Sequence, residues 1–561
     1  MAKVSKATSP DHLTMQLFTP GMSALHRAGL GGLASTLKSI ERMHASGQLS
    51  DAKLPGPMVG GDPPWVIEPT SVTLHFGEPE RAAAYLKRLF TVAFSIRRDG
   101  LIFLPGQFDS EPGAALLADL QSGLALTFLQ HGKVRKLAKD PTTATYDPEG
   151  DGTPSVEVQY RKCSQFKHQL LWSEFVEAKT GCIVADVIKV DGPVSPGTVV
   201  RHVAFTADTA AEDPPERMLP LCFAPVGCVA LPVNRGVAIL LIPEVENLVD
   251  FALDRPAMSP TTATECQIAN AADAALQTQI RLRARQARDT AGIPGVYAMT
   301  FTPTPWASQQ KSRVATIHVG HGDEKVLDRF ECALSQLPPR IVVRTVKEAV
   351  GRGRKKRVVE RKESFRADSV VRPLIADNLA LGRPWYAGFV RLMTRINPAT
   401  SRPFRQQIPF ECKGLHAMIS DPDMWDHEGE ALVVKAVHEA IRQSLGRIRE
   451  DTDGKQAEGK PRRPLSQATK NRWERFREKL RLDLAGSKTA SQLRFALADL
   501  FSRGGSNVVL RDAWAQILPV IHKDWQLARD LGLLALASYA GKGGADEPPD
   551  ASTEPSPNPI S

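Results

Sequence analysis

Pro338 to Arg366 reads PPRIVVRTVKEAVGRGRKKRVVERKESFR, and from Arg340 onward it holds eleven Lys/Arg against three Glu. Its centre, Gly351-Arg352-Gly353-Arg354-Lys355-Lys356-Arg357, has no apolar side chain. The β-branched runs Ile341-Val342-Val343 and Val358-Val359 flank it, which predicts a β-hairpin or strand–loop–strand with a basic tip loosened by glycine. Cations at this density repel one another unless an anion lies against them, so the stretch is a candidate nucleic-acid contact. The plainer reading is a solvated basic loop or a targeting signal. The hairpin also divides the chain: mixed α and β patterns precede it, and an almost wholly helical pattern follows.

Working outward, 561 residues suffice for two to four domains with a sizeable core. Apolar content of 42% and charged content of 24% are ordinary for a globular protein. The net charge of +9 and the isoelectric point near 9.1 favour nucleic acid or another acidic surface as partner. The seven cysteines include no CxxC pair, and no histidine stands between Cys222 and Cys228, the nearest two. This argues against a disulfide framework and a structural zinc and fits a reducing cytoplasm. The first residues lack the apolar core of a signal peptide, and no run of eighteen apolar residues is present to span a membrane.

The expected fold class is α+β: a mixed α/β body with a central sheet, then a helical-bundle C-terminal domain. Residues 1–12 read as loose, and 13–370 as the body, with the basic hairpin at 338–366. Residues 371–450 read as helical, 451–466 as a linker, 467–540 as the bundle, and 541–561 as a disordered tail. Leu13–Phe18 alternates as a strand does, and Ser23 is placed to cap a helix from Ala24 to about Met43. Gly29, Gly31 and Gly32 lie inside that helix at a cost of roughly 1 kcal/mol each, which calls for close backbone packing or a break. Pro79–Phe94, Gly113–Phe128 and Thr261–Thr290 read as further helices. Gly181–Lys189, Val199–Phe205, Cys222-Phe223 and Val226–Leu231 read as strands. Ala238–Ile242, the most apolar run, should be a central strand. Val296–Thr302 and Val314–Val319 read as an antiparallel pair with Trp306 in their loop. Beyond the hairpin, helices are expected near 373–381, 384–396, 427–450, 467–484, 488–502, 507–517 and 519–540.

Two more basic stretches join the hairpin. Lys133, Arg135, Lys136 and Lys139 fall in seven residues, read as a loop, and Arg161 and Lys162 continue the charge with Tyr160, Phe166, His168 and Trp172 nearby. Cations among aromatics can hold phosphates and stack bases; the alternative is a solvated loop beside core aromatics. Lys470, Arg472, Arg475, Arg477 and Lys479 lie on a helix whose packing stripe is Trp473, Phe476, Leu480 and Leu484. Glu474 and Glu478 are too few to neutralise it. Nucleophile elbows, metalloprotease motifs, phosphate loops and EF-hands are absent. His318, His321 and Asp323 read as a strand-end turn, and Asp421, Asp423 and Asp426 as an acidic helix N-terminus rather than a cation site.

Two segments narrow the reading. LFTPGMSALHRAGLGGL at Leu17–Leu33 and AILLIPEVENL at Ala238–Leu248 resemble the Myxococcus-type large subunit of type I CRISPR effector (Cascade) complexes. The resemblance implies a non-catalytic subunit without cofactor or metal. It would bind the 5′ handle of a guide RNA, beside the backbone and handle-binding subunits. It would recognise a short protospacer-adjacent motif in double-stranded target DNA, stabilise the R-loop and present a platform for a helicase-nuclease. It also implies a C-terminal bundle related to the small subunit, and Met418 and Met424 stand where an internal start would produce one. The family's motif-reading residues do not map onto any short string here. Charge alone assigns Lys133, Arg135 and Lys136 to handle or motif duplex. It assigns Arg352, Arg354, Lys355, Lys356 and Arg357 to duplex or displaced strand, and Lys470, Arg472, Arg475, Arg477 and Lys479 to displaced DNA. The alternatives are a metal-dependent nucleic-acid-processing enzyme built on the acidic turn, and a basic scaffold.

Overall fold

The structure is a computed structural model. It describes residues 10–540 apart from 59, 131–133, 149–154, 192–193, 195, 197–209, 234–235, 286–291, 304–311, 321–322, 351–356, 398–401, 455–463 and 505. The chain folds into two compact units that divide between Gly322 and Asp323. The first is mixed and the second mainly helical, so the fold class is α+β.

The first unit is organised around α1 (Ala24–Ala45). Ser23 Oγ accepts the His26 N–H (3.4 Å) while His26 Nδ1 accepts the Ser23 N–H (3.3 Å), a reciprocal cap. The other ring nitrogen meets Asp213 (3.2 Å), whose second oxygen accepts from Arg217 Nε (2.8 Å), so the cap is tied to the distant α4 (Pro215–Cys222). The three glycines do not break the helix. They let α4 and α5 (Ala224–Gly227) touch it backbone to backbone. A β-carbon on Gly29 would overlap the Pro220 carbonyl, and one on Gly32 would lie 2.6 Å from the Phe223 carbonyl oxygen and against the Gly227 nitrogen. One on Gly31 would meet the Phe251 ring on α6 (Leu248–Met258). The helix cost at three positions is thus offset by close contact around α1, where Leu30, Leu33, Leu37 and Ile40 are fully buried.

One expected strand and the start of another are helical for this reason. Cys222-Phe223 and Val226 belong to the α4–α5 segment, and only Val229–Val233 is extended. A short apolar run does not distinguish strand from buried helix, and Pro215 and Pro225 favour first helical turns. The carbonyls at the C-terminal end of α5 are held by Arg255, which is 0% exposed. Its Nε donates to the Val226 oxygen (2.8 Å), Nη2 to the Cys228 oxygen (2.7 Å) and Nη1 to Ser259 Oγ (2.9 Å).

Val237–Pro243 is the central strand expected from its apolar run, paired with Val229–Val233 and Gly295–Pro303 in an antiparallel sheet that Ser312–Gly320 completes. A second sheet places Ser71–His75 between His12–Gln16 and Trp65–Ile67. The remaining helices are α2 (Ala82–Ala93), α3 (Ala114–Leu126) and α7 (Ala271–Arg285). The last begins ten residues later than expected because Asn270 Oδ1 accepts the Asp273 N–H (2.9 Å) and opens the helix there. Of Gly181–Lys189 only Ile188-Lys189 is strand, in Ile188–Asp191, which pairs with Ala210–Asp213. Val199–Phe205 and Trp306 lie outside the described residues.

His168 sits among Phe94, Phe166 and neighbouring rings, 1% exposed, with neither ring nitrogen hydrogen-bonded among the described residues. Burial, aided by Lys167, pushes its pKa down to about 3 from an ordinary 6.5. The unfolded chain therefore takes up this proton first. Stability is complete above about pH 6.5 and falls as the pH drops toward about 3. His168→Leu is expected to stabilise the protein at neutral pH by about 1–3 kcal/mol and to flatten the acid limb of a melting-temperature profile. An unchanged acid limb would contradict this.

In the second unit the basic stretch is a hairpin of Arg340–Val350 against Arg357–Ala367, in continuous register from Arg340↔Ala367 to Val350↔Arg357. Its helices are α8 (Glu324–Gln336), α9 (Arg372–Ala380), α10 (Val390–Thr394), α11 (Cys412–Ser420), α12 (Glu428–Asp453), α13 (Gln467–Ala485), α14 (Ala490–Gly504), α15 (Val508–Lys523) and α16 (Trp525–Ser538). The bundle packs α13 to α16 around α12. Residues 384–389 form turns rather than helix, held where Asn378 Nδ2 donates to the Trp385 (3.0 Å) and Ala387 (2.7 Å) oxygens. The last break falls at Asp524, not near 518, because its carboxylate accepts the Gln526 (2.9 Å) and Leu527 (3.1 Å) N–H groups and caps α16.

Candidate nucleic-acid interface

Arg135 and Lys136, expected in a loop, lie on a small ribbon. Arg135–Leu137 is a strand paired with Cys163–Phe166, and Ala138 N–H donates to the Lys162 oxygen (2.8 Å). This brings Lys136, Arg161 and Lys162 together, all exposed. Arg135 alternates to the other side. It is half-buried, burial lowers its pKa, and its Nε finds no hydrogen-bond partner among the described residues. Its body contributes packing, and it is the least accessible of the group. Lys133 lies outside the described residues.

Arg98 joins this patch. Gly100 N–H donates to the Arg97 oxygen (2.9 Å), and Gly100, at φ +79°, packs against the Cα and Cβ of Lys162. Cys163 N–H donates to the Gly100 oxygen (2.8 Å), which anchors the turn on the ribbon and leaves Arg98 exposed on it. The signal was the Asp99-Gly100 pair after two arginines, a turn signature that presents cations.

In the second unit, Arg357 opens the second hairpin strand, while Arg352, Arg354, Lys355 and Lys356 lie outside the described residues. On α13 the structure divides the five candidates. At 100° per residue Arg472, Arg475 and Lys479 form one stripe, and all three are exposed. Lys470 and Arg477 fall on the other side of the helix, Lys470 exposed and Arg477 half-buried. The packing stripe is as expected: Leu480 and Leu484 are buried, and Trp473 Nε1 donates to the Leu445 oxygen (3.0 Å). Arg481 is turned inward, with its Nη1 on the Met393 oxygen (3.0 Å) and Nη2 on Glu478 (2.6 Å).

The acidic turn is committed elsewhere. Asp426 accepts from Arg329 Nη1 (2.8 Å) and Lys325 Nζ (3.3 Å), and Asp421 caps the turn Pro422–Met424. His318 faces Glu244 (3.3 Å) and Tyr297, while Asp323 caps α8. His321 lies outside the described residues. Among the described residues, no three His, Cys, Asp or Glu side chains gather as a metal site would need, and no helix is long and apolar enough to cross a membrane.

Residues 14–222 match the DevT N-terminal domain and residues 421–559 the DevT C-terminal domain. A curated relative, CRISPR-associated protein Cas8a1/Csx13 of Myxococcus xanthus strain DK1622, is 35% identical over 556 residues, covering 96% of this chain and 90% of the relative. The chain belongs to the DevT family. This is the Myxococcus-type Cas8 family that Leu17–Leu33 and Ala238–Leu248 resemble. The first DevT segment contains α1, its cap and the ribbon carrying Lys136, Arg161 and Lys162. The second contains the acidic turn and the bundle from α12 to α16.

Proposed function

We propose that this chain is the non-catalytic large subunit of a type I CRISPR antiviral surveillance complex, working in the cytoplasm. It binds the 5′ handle of the guide RNA, recognises the adjacent motif in duplex DNA and stabilises the R-loop until a helicase-nuclease is recruited. The observation that carries this reading is the near full-length similarity to a Cas8a1/Csx13 protein. The distribution of charge supports it. Guide pairing supplies sequence specificity, so the protein needs backbone-binding cations spread over its surface and a few groove-reading side chains. Lys136, Arg161, Lys162 and Arg98 form one such patch, the hairpin supplies a second, and the Arg472–Arg475–Lys479 stripe a third. The backbone-and-handle subunits are its protein partners. The test is a guide complex reconstituted with and without this chain and given duplex that carries or lacks the motif. Motif-dependent binding should require the chain, and equal motif dependence without it would overturn the reading.

A further inference from the structure

The exposed stripe of α13 does not end at Lys479. Leu482, Asp483 and Gly486 continue the same face. Together with Ser491, Gln492, Phe495 and Arg503 of α14 they line an open cleft of about 670 Å³. Two apolar side chains stand out of it into solvent: Leu482 is 55% exposed and Phe495 77%. A phenylalanine so exposed on a helix gives up most of the burial that would stabilise it, about 25 cal/mol per Å² of apolar surface. It contributes little to this bundle and is available to something else.

The charges around the cleft indicate what. Arg475 and Lys479 make no hydrogen bond or ion pair among the described residues, and Arg472 gives one hydrogen bond, from Nη1 to Thr452 Oγ1 (2.8 Å). Arg503 is paired with Asp499 (2.9 Å) and is neutralised. Asp483 is the acid left at the mouth. On α13 the free positive charge therefore lies along one face, over the roughly 15 Å of helix from Arg472 to Leu482, and leads toward the exposed ring. A row of free cations that ends on an exposed aromatic suits a single-stranded nucleic acid: phosphates follow the cations and a base stacks on the ring.

We propose that Phe495, backed by Leu482, is a base-stacking platform for single-stranded DNA that arrives along Arg472, Arg475 and Lys479. This rests on the reading of α13 as a contact for displaced DNA and adds to it the group that engages the bases. A stacked base is worth about 1–3 kcal/mol by alanine substitution, whatever its identity. A cation on a phosphate changes the salt dependence, and a stacking ring does not.

The experiment uses the full chain with two probes: a thymidine oligonucleotide and an equally long strand of abasic deoxyribose-phosphate. Phe495→Ala is expected to weaken thymidine-strand binding roughly 5- to 150-fold. Its salt slope should not change, and neither should its affinity for the abasic strand. Phe495→Trp should bind the thymidine strand at least as tightly as the natural chain. Arg475→Ala with Lys479→Ala should weaken both strands and lower the salt slope. Three results would overturn the platform while leaving the proposed function intact: unchanged thymidine binding by Phe495→Ala; equal losses on both strands; or a loss confined to assembly with other subunits, which would mark the cleft as a protein-docking site. If the Arg475/Lys479 variant also binds both strands normally, the reading of α13 as a DNA contact fails as well.

Discussion

Gly32→Val is expected to destabilise the first unit by on the order of 3 kcal/mol or more, enough to remove most of the variant from the soluble fraction. The physical cause is local. A β-carbon at 32 would stand 2.6 Å from the Phe223 carbonyl oxygen and against the Gly227 backbone, and neither can move without shifting α5, whose C-terminal end Arg255 holds. Branching adds a second carbon to that overlap. Gly446→Ala is the control. Gly446 lies inside α12 with nothing within 4 Å of a β-carbon, so alanine there should be neutral or stabilising by about 0.5–1 kcal/mol. Thermal melts of the two variants decide the matter. Equal melting temperatures would mean that α1 is not held by backbone contact.

Joint replacement of Arg354, Lys355 and Arg357 by Glu is expected to weaken target-duplex binding roughly 100-fold or more at moderate salt. It should lower the slope of log affinity against log salt by about 1 for each phosphate that is no longer neutralised. The two strands are paired over eleven residues, from Arg340↔Ala367 to Val350↔Arg357, so the hairpin does not depend on these three charges for its register. The variant should therefore keep the melting temperature of the natural chain. Binding curves at several salt concentrations read out both effects, and intact target binding would remove the hairpin from the interface.

Much of this architecture was legible because local signals agreed. The Ser23 cap and the apolar positions of α1 marked that helix, the run Ala238–Ile242 marked the central strand, and paired β-branched runs marked the hairpin. What failed depended on distant contacts. The helical state of Pro215–Gly227 follows from the groove that the α1 glycines leave, about two hundred residues upstream in sequence. The break expected near 518 falls instead at the local Asp524 cap, with Pro519 inside α15. Among site residues the composition of each basic stretch was readable, but not which cations face outward. Arg135 is turned in by strand pairing, Arg481 by Glu478 and Met393, and Arg98 is brought to the patch by a turn that packs on Lys162. Phe495 is one apolar residue among several on α14. Only its exposure sets it apart.

We propose that this DevT-family chain gives a guide complex its preference for motif-bearing duplex. The most direct measurement is the affinity of the reconstituted complex, with and without the chain, for two duplexes identical except at the motif. With the chain, the motif-bearing duplex should bind roughly 10-fold tighter or more, as a single good base contact would allow. Without the chain, the two duplexes should bind alike. A complex that lacks the chain yet keeps the full preference would contradict the account.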